Sequence, residues 1–376
     1  MVSTASLHHI RLFYAAYFGA MGLILPYFPV YLAARGLDVA AIGLATGLLA
    51  LTRVFSPPLV GQILDRCHGT AAFIVVASLL AAMFALLLPW APAFWPMAMI
   101  VFAFGFLWSA VLPLTDGISI HVSEAAWADY GSLRLWGSIG FVLASLAGGL
   151  WLADADITRF PYWLSLLLVV TGLAAIGFPA DIDQPTHAST TREKFPVTFF
   201  ALLATSFLMQ ASHGAYYGFY SLYLVAQGFQ GWEVGAFWVL GVIAEIVLMW
   251  RGSRFLQRAA PAAVLGGCLL LAALRWLGTG LATQWWLLAL LQLLHAATFA
   301  AFHISAVIWA KRLAPPQRQA AAQGWYSACG FGLGSTLGIM ACGWITAQWG
   351  YAGAFFACTA VALLGLLPVS WLPRRV

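Results

Sequence analysis

The chain has 376 residues, 63% of them hydrophobic and only 8% charged, with a formal net charge of +5 and a mean hydropathy of +0.91. That balance excludes a water-soluble globule, since repeated apolar runs of about 20 residues have the length that crosses a hydrocarbon core. In a soluble protein the basic excess would point to nucleic acid; here it falls in short connections, where it sets orientation in a bilayer and implies no such partner.

Hydropathy and loop punctuation predict an all-α membrane protein with twelve spans. They lie at about 9–34, 39–62, 70–90, 94–121, 128–152 and 160–180, then 197–225, 233–251, 262–281, 285–310, 320–347 and 352–372. The first run begins near Ile10, exceeds a signal-peptide core and lacks a small-residue cleavage site, so it reads as a retained helix. Alternating connections put Arg11, Arg66, Lys194, Arg258, Lys311 and Arg318, among others, on one side and only Arg35 and Arg159 on the other. Both termini are therefore expected in the cytoplasm, in a bacterial inner membrane.

The polar stretch DIDQPTHASTTREKF, Asp181 to Phe195, divides the chain. It predicts a six-helix bundle at 1–180, a cytoplasmic linker at 181–196 and a second bundle at 197–376. The halves repeat: YLAARGLDVAAIG from Tyr31 matches YLVAQGFQGWEVG from Tyr223 without a gap, each copy between the first and second span of its half. Parallel repeats of this kind build transporters whose halves rock about a midplane site, so the bundles are expected to be pseudo-symmetric.

Five charges sit inside apolar stretches: Arg53, Asp116, Arg134, Glu245 and Arg275. A charge at bilayer depth costs about 2.5 kcal/mol or more, so such residues face a watery cavity or one another and mark function. The repeat offset carries Arg53 onto Glu245, an opposite charge at the equivalent position. Asp116 and Arg134 fall at equal depth on neighbouring spans, and Arg134, Ser138 and Phe141 share one helical face. Gln210, His213 and Tyr217 form a polar stripe on the seventh span, and Gln292, His295 and Phe299 another on the tenth, with His303 further along. Three positive charges against two negative leave one positive charge, which an anionic substrate would neutralise.

The five cysteines are scattered with no C-x-x-C pair, so neither a metal site nor a disulfide framework is implied. H-E-x-x-H, G-x-S-x-G and P-loop motifs are missing, which argues against an enzyme, and no connection is long enough for a soluble sensor domain.

The segment GQILDRCHG, Gly61 to Gly69, resembles the G-x-x-x-D-R loop signature of the major facilitator superfamily, which implies that Gly61, Asp65 and Arg66 form a conformational gate loop. Asp116 and Arg134, on PLTDG and YGSLRLWGSIGF, resemble the acid and arginine that hold substrate in lactose permease. Glu245, Arg275 and His295 resemble its proton-coupling group, to which His303 is added, although Thr298 stands where that permease has its proton-carrying acid and Phe141 where it has a tryptophan. Helix five also lacks the proline of G-P-x-x-G-G, the mark of drug exporters. Over nearly the whole chain, in QASHGAYYGF, GVIAEIV, LRW and LQLLHAATF, the sequence is most similar to the phenylpropionate permease branch.

The resemblance implies a twelve-helix symporter taking up a small organic anion, such as an aryl-propionate, with protons by alternating access. An oligosaccharide or nucleoside symporter is the alternative. Substrate contact is expected from Arg53, Asp116, Arg134, Ser138, Phe141, Gln210, His213 and Tyr217, and proton coupling from Glu245, Arg275, His295 and His303. No cofactor is expected beyond the proton, and the partners are a small molecule and the lipid bilayer, with the chain acting as a monomer.

Overall fold

The computed structural model describes residues 4–67, 69–127, 129–153, 156–179 and 194–373. Residues 181–193 of the predicted linker and the Asp65 side chain lie outside these. Every regular element among the described residues is helical.

The first half comprises α1 (Thr4–Ala34), α2 (Val39–Cys67), α3 (Thr70–Leu87), α4 (Phe94–Ala125), α5 (Tyr130–Gly148) and α6 (Phe160–Ala175). In the second half, α7 is two pieces, Val197–Ser212 and Gly214–Ala226, followed by α8 (Gly231–Arg258), α9 (Pro261–Leu281) and α10 (Trp285–Leu313). Helices α11 and α12 share the stretch Pro316–Val369 and divide at Gly350, whose φ of 69° breaks the helix. Among the described residues, ten stretches are long and apolar enough to cross a membrane. The last of them holds two helices, and α7 adds one more that neither of its pieces spans alone, so twelve helices stand at the predicted places.

Capping explains why the repeat folds alike in both halves. After α1 the Leu37 amide donates to Leu32 O (3.2 Å) and the Gly36 amide to Ala33 O (2.9 Å), with Gly36 left-handed at φ 82°. This is a Schellman stop, which a glycine takes without the steric cost of a Cβ. Gly228, its counterpart in the repeat, is left-handed too, at φ 90°. Asp38 then caps α2 by accepting from the Ala41 amide at 2.8 Å, while the Glu233 side chain accepts from the Gln230 amide at 2.8 Å to open α8.

Three boundaries differ from the sequence reading. Gly61, Asp65 and Arg66 lie in the last turns of α2, not in a loop, because nothing before Gly69 (φ 89°) ends the helix and Arg66 suits its carboxyl end. Helix α8 runs on to Arg258 because its arginine-rich end contains no breaker before Pro261. Helix α7 is interrupted at His213 (φ −85°, ψ 2°), where the chain must pass α11 at close range.

Contacts divide the chain into two compact units. One holds Met1–Leu37, Thr52–His187 and Gly228–Ala236; the other holds Asp38–Leu51, Ala188–Gln227 and Phe237–Val376. Within the first, α1 crosses α5 at Gly140, where a Cβ would overlap the Ala15 carbonyl. The second repeats the arrangement: α7 crosses α11 at Gly338, where a Cβ would overlap the Ala211 carbonyl. Gly140→Val is expected to destabilise the protein by about 1–3 kcal/mol, because backbone atoms cannot yield as a side-chain end can. A thermal unfolding midpoint unchanged from the wild type would contradict this account of the crossing.

Candidate functional site

In the first unit, Asp116 on α4 is held by hydroxyls. Its Oδ1 accepts from the Tyr14 hydroxyl at 2.6 Å and the Tyr130 hydroxyl at 3.1 Å. Arg134 on α5 approaches the same oxygen only to 3.9 Å, through Nε, which is outside hydrogen-bond range. The guanidinium instead lies over the Phe18 ring, 4.0 Å from its centroid, with the Tyr14 ring at 5.2 Å. Both charged side chains are about one-third exposed, 34% for Arg134 and 30% for Asp116.

The other residues expected beside them fare differently. Ser138 is half-buried one turn along α5, whereas Phe141 is 5% exposed and packed where α5 meets Gly22 of α1. Arg53 is half-buried on α2 and pairs with no described carboxylate. Around it the α2–α4 contact is fixed by hydroxyls: Thr52 to Ser109 at 2.8 Å, and Ser56 to the Phe106 carbonyl. Of Arg53 and Arg134, Arg134 alone comes within 4 Å of a described carboxylate.

The second unit gathers Glu245, Arg275 and His295 as one network. Arg275, 1% exposed on α9, donates from Nη1 to His295 Nδ1 (2.8 Å) and Thr298 Oγ1 (3.0 Å), and from Nη2 to Gln292 Oε1. Its guanidinium is flanked by the rings of Tyr216 and Trp276, each 4.5 Å away. Gln292 passes the chain on, donating to the Tyr216 hydroxyl (3.1 Å) and the Phe237 carbonyl (3.0 Å). His295 Nε2 stands 2.7 Å from Glu245 Oε1.

These contacts fix a tautomer. A guanidinium can only donate, so His295 Nδ1 must accept. The proton of a neutral His295 is then on Nε2 and is donated to Glu245, whose carboxylate balances Arg275 through the ring. Adding a proton to His295 would displace Arg275; adding it to the Glu245 carboxyl leaves every one of these bonds in place.

His303 is not part of this network. Its Nδ1 pairs with the Tyr326 hydroxyl at 2.8 Å, and only stacked rings link it to His295, at 5.3 Å to Phe299 and 6.1 Å from Phe299 to His303. Between them α10 opens into wide π turns over Ala296–Ala301, and His303 stands two stacked rings along the helix from His295. Replacing His303 with phenylalanine is expected to cost about 1 kcal/mol of stability, one neutral hydrogen bond, read as a lowered thermal unfolding midpoint. An unfolding midpoint unchanged from the wild type would contradict a stabilising His303–Tyr326 bond.

On α7, His213 Nδ1 lies 2.8 Å from the Met209 carbonyl, so it carries the proton and Nε2 is an acceptor. Nε2 and the Gln210 Oε1 are buried without a hydrogen-bond partner among the described residues. Tyr217 stacks on His213 with centroids 5.6 Å apart. No three His, Cys, Asp or Glu side chains among the described residues gather as metal ligands. A groove of about 360 Å³ beside α1, α5 and α6 is lined only by apolar side chains such as Leu12, Leu143 and Trp163, and offers a polar solute nothing.

Sequence reasoning missed Tyr14, Phe18 and Tyr130 around Arg134, and Tyr216 and Trp276 around Arg275. The i, i+4 spacing of Tyr14 with Phe18, and of Tyr130 with Arg134, was the available signal.

The model of the MFS_1 like family matches residues 7–358. Over 314 residues, 79% of this chain and 80% of the relative, the sequence is 32% identical to the probable 3-phenylpropionic acid transporter of Escherichia coli (strain K12). Over 367 residues, 95% of this chain and 92% of the relative, it is 29% identical to the maltose permease of Geobacillus stearothermophilus. Among solved structures, that of the nucleoside transporter NupG aligns over 98% of each chain with a TM-score of 0.83 at 18% identity, a likeness of fold. These similar proteins are transporters, not enzymes.

Proposed function

Since the chain belongs to the MFS_1 like family and is an integral membrane secondary transporter of the major facilitator type, we propose that it takes up a small organic anion, such as an aryl-propionate, together with a proton by alternating access. The observation that carries this reading is the state of Arg134: its face rests on Phe18 and its nearest carboxylate is engaged by two tyrosines. A guanidinium so placed keeps its N–H edge for a carboxylate ligand, which it can grip in bidentate fashion.

Charge balance supports the proton. Of the five charges inside the apolar spans, Glu245 and Arg275 offset one another through His295, which leaves the surplus positive charge among Arg53, Arg134 and Asp116 of the first unit. An anion bound at Arg134 removes that surplus, and a proton on Glu245 restores it. Loaded and empty carriers then have the same net charge, so the symport is electroneutral. We place the protein in a bacterial inner membrane with both termini cytoplasmic, working as a monomer with no cofactor beyond the coupling proton.

A specific observation favours a second reading. The buried acceptors Gln210 Oε1 and His213 Nε2 complement the hydroxyl donors of a nucleoside or oligosaccharide. Thermal-shift titration of the purified protein with aryl-propionates, nucleosides and maltose separates the two: stabilisation by the carboxylates alone is expected. Stabilisation by a neutral sugar or nucleoside alone would replace the first reading with the second.

A further inference from the structure

We propose that Tyr14 and Tyr130 are positioning residues that hold the Asp116 carboxylate off Arg134, keeping the guanidinium open to a carboxylate ligand; the ligand clause rests on the anion reading above. A carboxylate 3.9 Å from a guanidinium, with nothing restraining it, closes to about 2.7–2.9 Å and neutralises it. Here the oxygen nearest Arg134 is the one that accepts both phenolic hydrogens, at 2.6 and 3.1 Å, from two different helices. Its acceptor capacity is taken from the α1 side and from the first residue of α5.

Tyr14 acts twice. Its hydroxyl restrains the acid, and its ring, 5.2 Å from the Arg134 Cζ, joins Phe18 at 4.0 Å in holding the base by its face. Contact through the face leaves the N–H edge unspent. An acid and base locked together would present a neutral pair to hydroxyl groups; an acid held apart by phenols presents a cation. On this account the two hydroxyls set the substrate class, selecting anions over neutral polyols.

The test needs no substrate in its main arm. The full-length protein in lipid nanodiscs is treated with phenylglyoxal, an arginine-specific reagent, and the Arg134 adduct is followed by mass spectrometry. In Tyr14→Phe/Tyr130→Phe, which keeps both rings, Asp116 closes on Arg134 and the adduct rate falls about tenfold, the scale of one hydrogen bond to a charged group. Adding Asp116→Asn to that variant restores the rate, because a neutral amide does not compete. Tyr130→Phe alone, at a half-buried position, gives an intermediate fall and serves where the double variant does not fold. Equal rates in the wild type and the tyrosine variants, or no restoration by Asp116→Asn, would overturn the positioning role. A separate arm adds 3-phenylpropionate to the wild type: protection of Arg134 is expected, and its absence would defeat the anion reading and the ligand clause, even where the tyrosine effect is seen.

Discussion

Replacing Arg134 by glutamine is expected to lower affinity for aryl carboxylates by at least about 30-fold, since removing one member of a charge-assisted pair costs about 2–5 kcal/mol. Arg134→Lys should recover only a fraction of this. The ammonium keeps the charge but loses both the planar fork and the stacking that Phe18 provides at 4.0 Å. Titration calorimetry on the purified variants checks both. Binding by Arg134→Gln within about threefold of the wild type, a difference under roughly 1 kcal/mol, would remove Arg134 from the site. Folding is not expected to confuse the result, because the side chain is 34% exposed and makes no hydrogen bond on which the α4–α5 contact depends.

The second large effect is expected at Glu245. Glutamine there keeps an oxygen to accept from His295 Nε2, so the network around Arg275 persists, but the side chain can no longer take up a proton. Accumulation against a gradient is expected to fall at least about tenfold, equivalent to roughly 1.4 kcal/mol of lost driving force, while exchange of labelled for unlabelled substrate continues. Asp at the same position shortens the side chain and weakens the 2.7 Å contact, so it should retain coupling with reduced rate. Concentrative uptake equal to the wild type in Glu245→Gln would move the proton elsewhere in the cluster.

Much of the architecture was legible because membrane insertion writes it in long apolar runs, and because the repeat carries its own stops. Gly36 and Gly228 fall at the same place in the matching segments, and both adopt the left-handed conformation that ends a helix. The grouping of Glu245, Arg275 and His295 was legible through the resemblance to lactose permease, on residues that a buried charge's cost had already singled out.

Other features left little trace. Tyrosines are common in apolar spans, so the i, i+4 spacing of Tyr130 with Arg134 was a faint mark and did not point to Asp116 as their shared partner. The expected pairing of Asp116 with Arg134 came out as a loose 3.9 Å approach, because phenols compete for the same oxygen. His295, Phe299 and His303 stay in one column of stacked rings across the π turns, and ideal 3.6-residue spacing does not foresee that. The break of α7 at His213 follows from the α7–α11 crossing, a tertiary demand that local sequence does not announce.

On the reading proposed here, one proton enters with each organic anion and no net charge crosses the membrane. Substrate-free proteoliposomes of alkaline internal pH, with the membrane potential clamped by potassium and valinomycin, measure it as uptake in excess of protein-free liposomes. Accumulation of labelled 3-phenylpropionate that follows the imposed pH gradient, and does not change when the clamped potential is reversed, is the predicted result. Uptake indifferent to the pH gradient, or accumulation of a neutral sugar or nucleoside with none of the carboxylate, would contradict it.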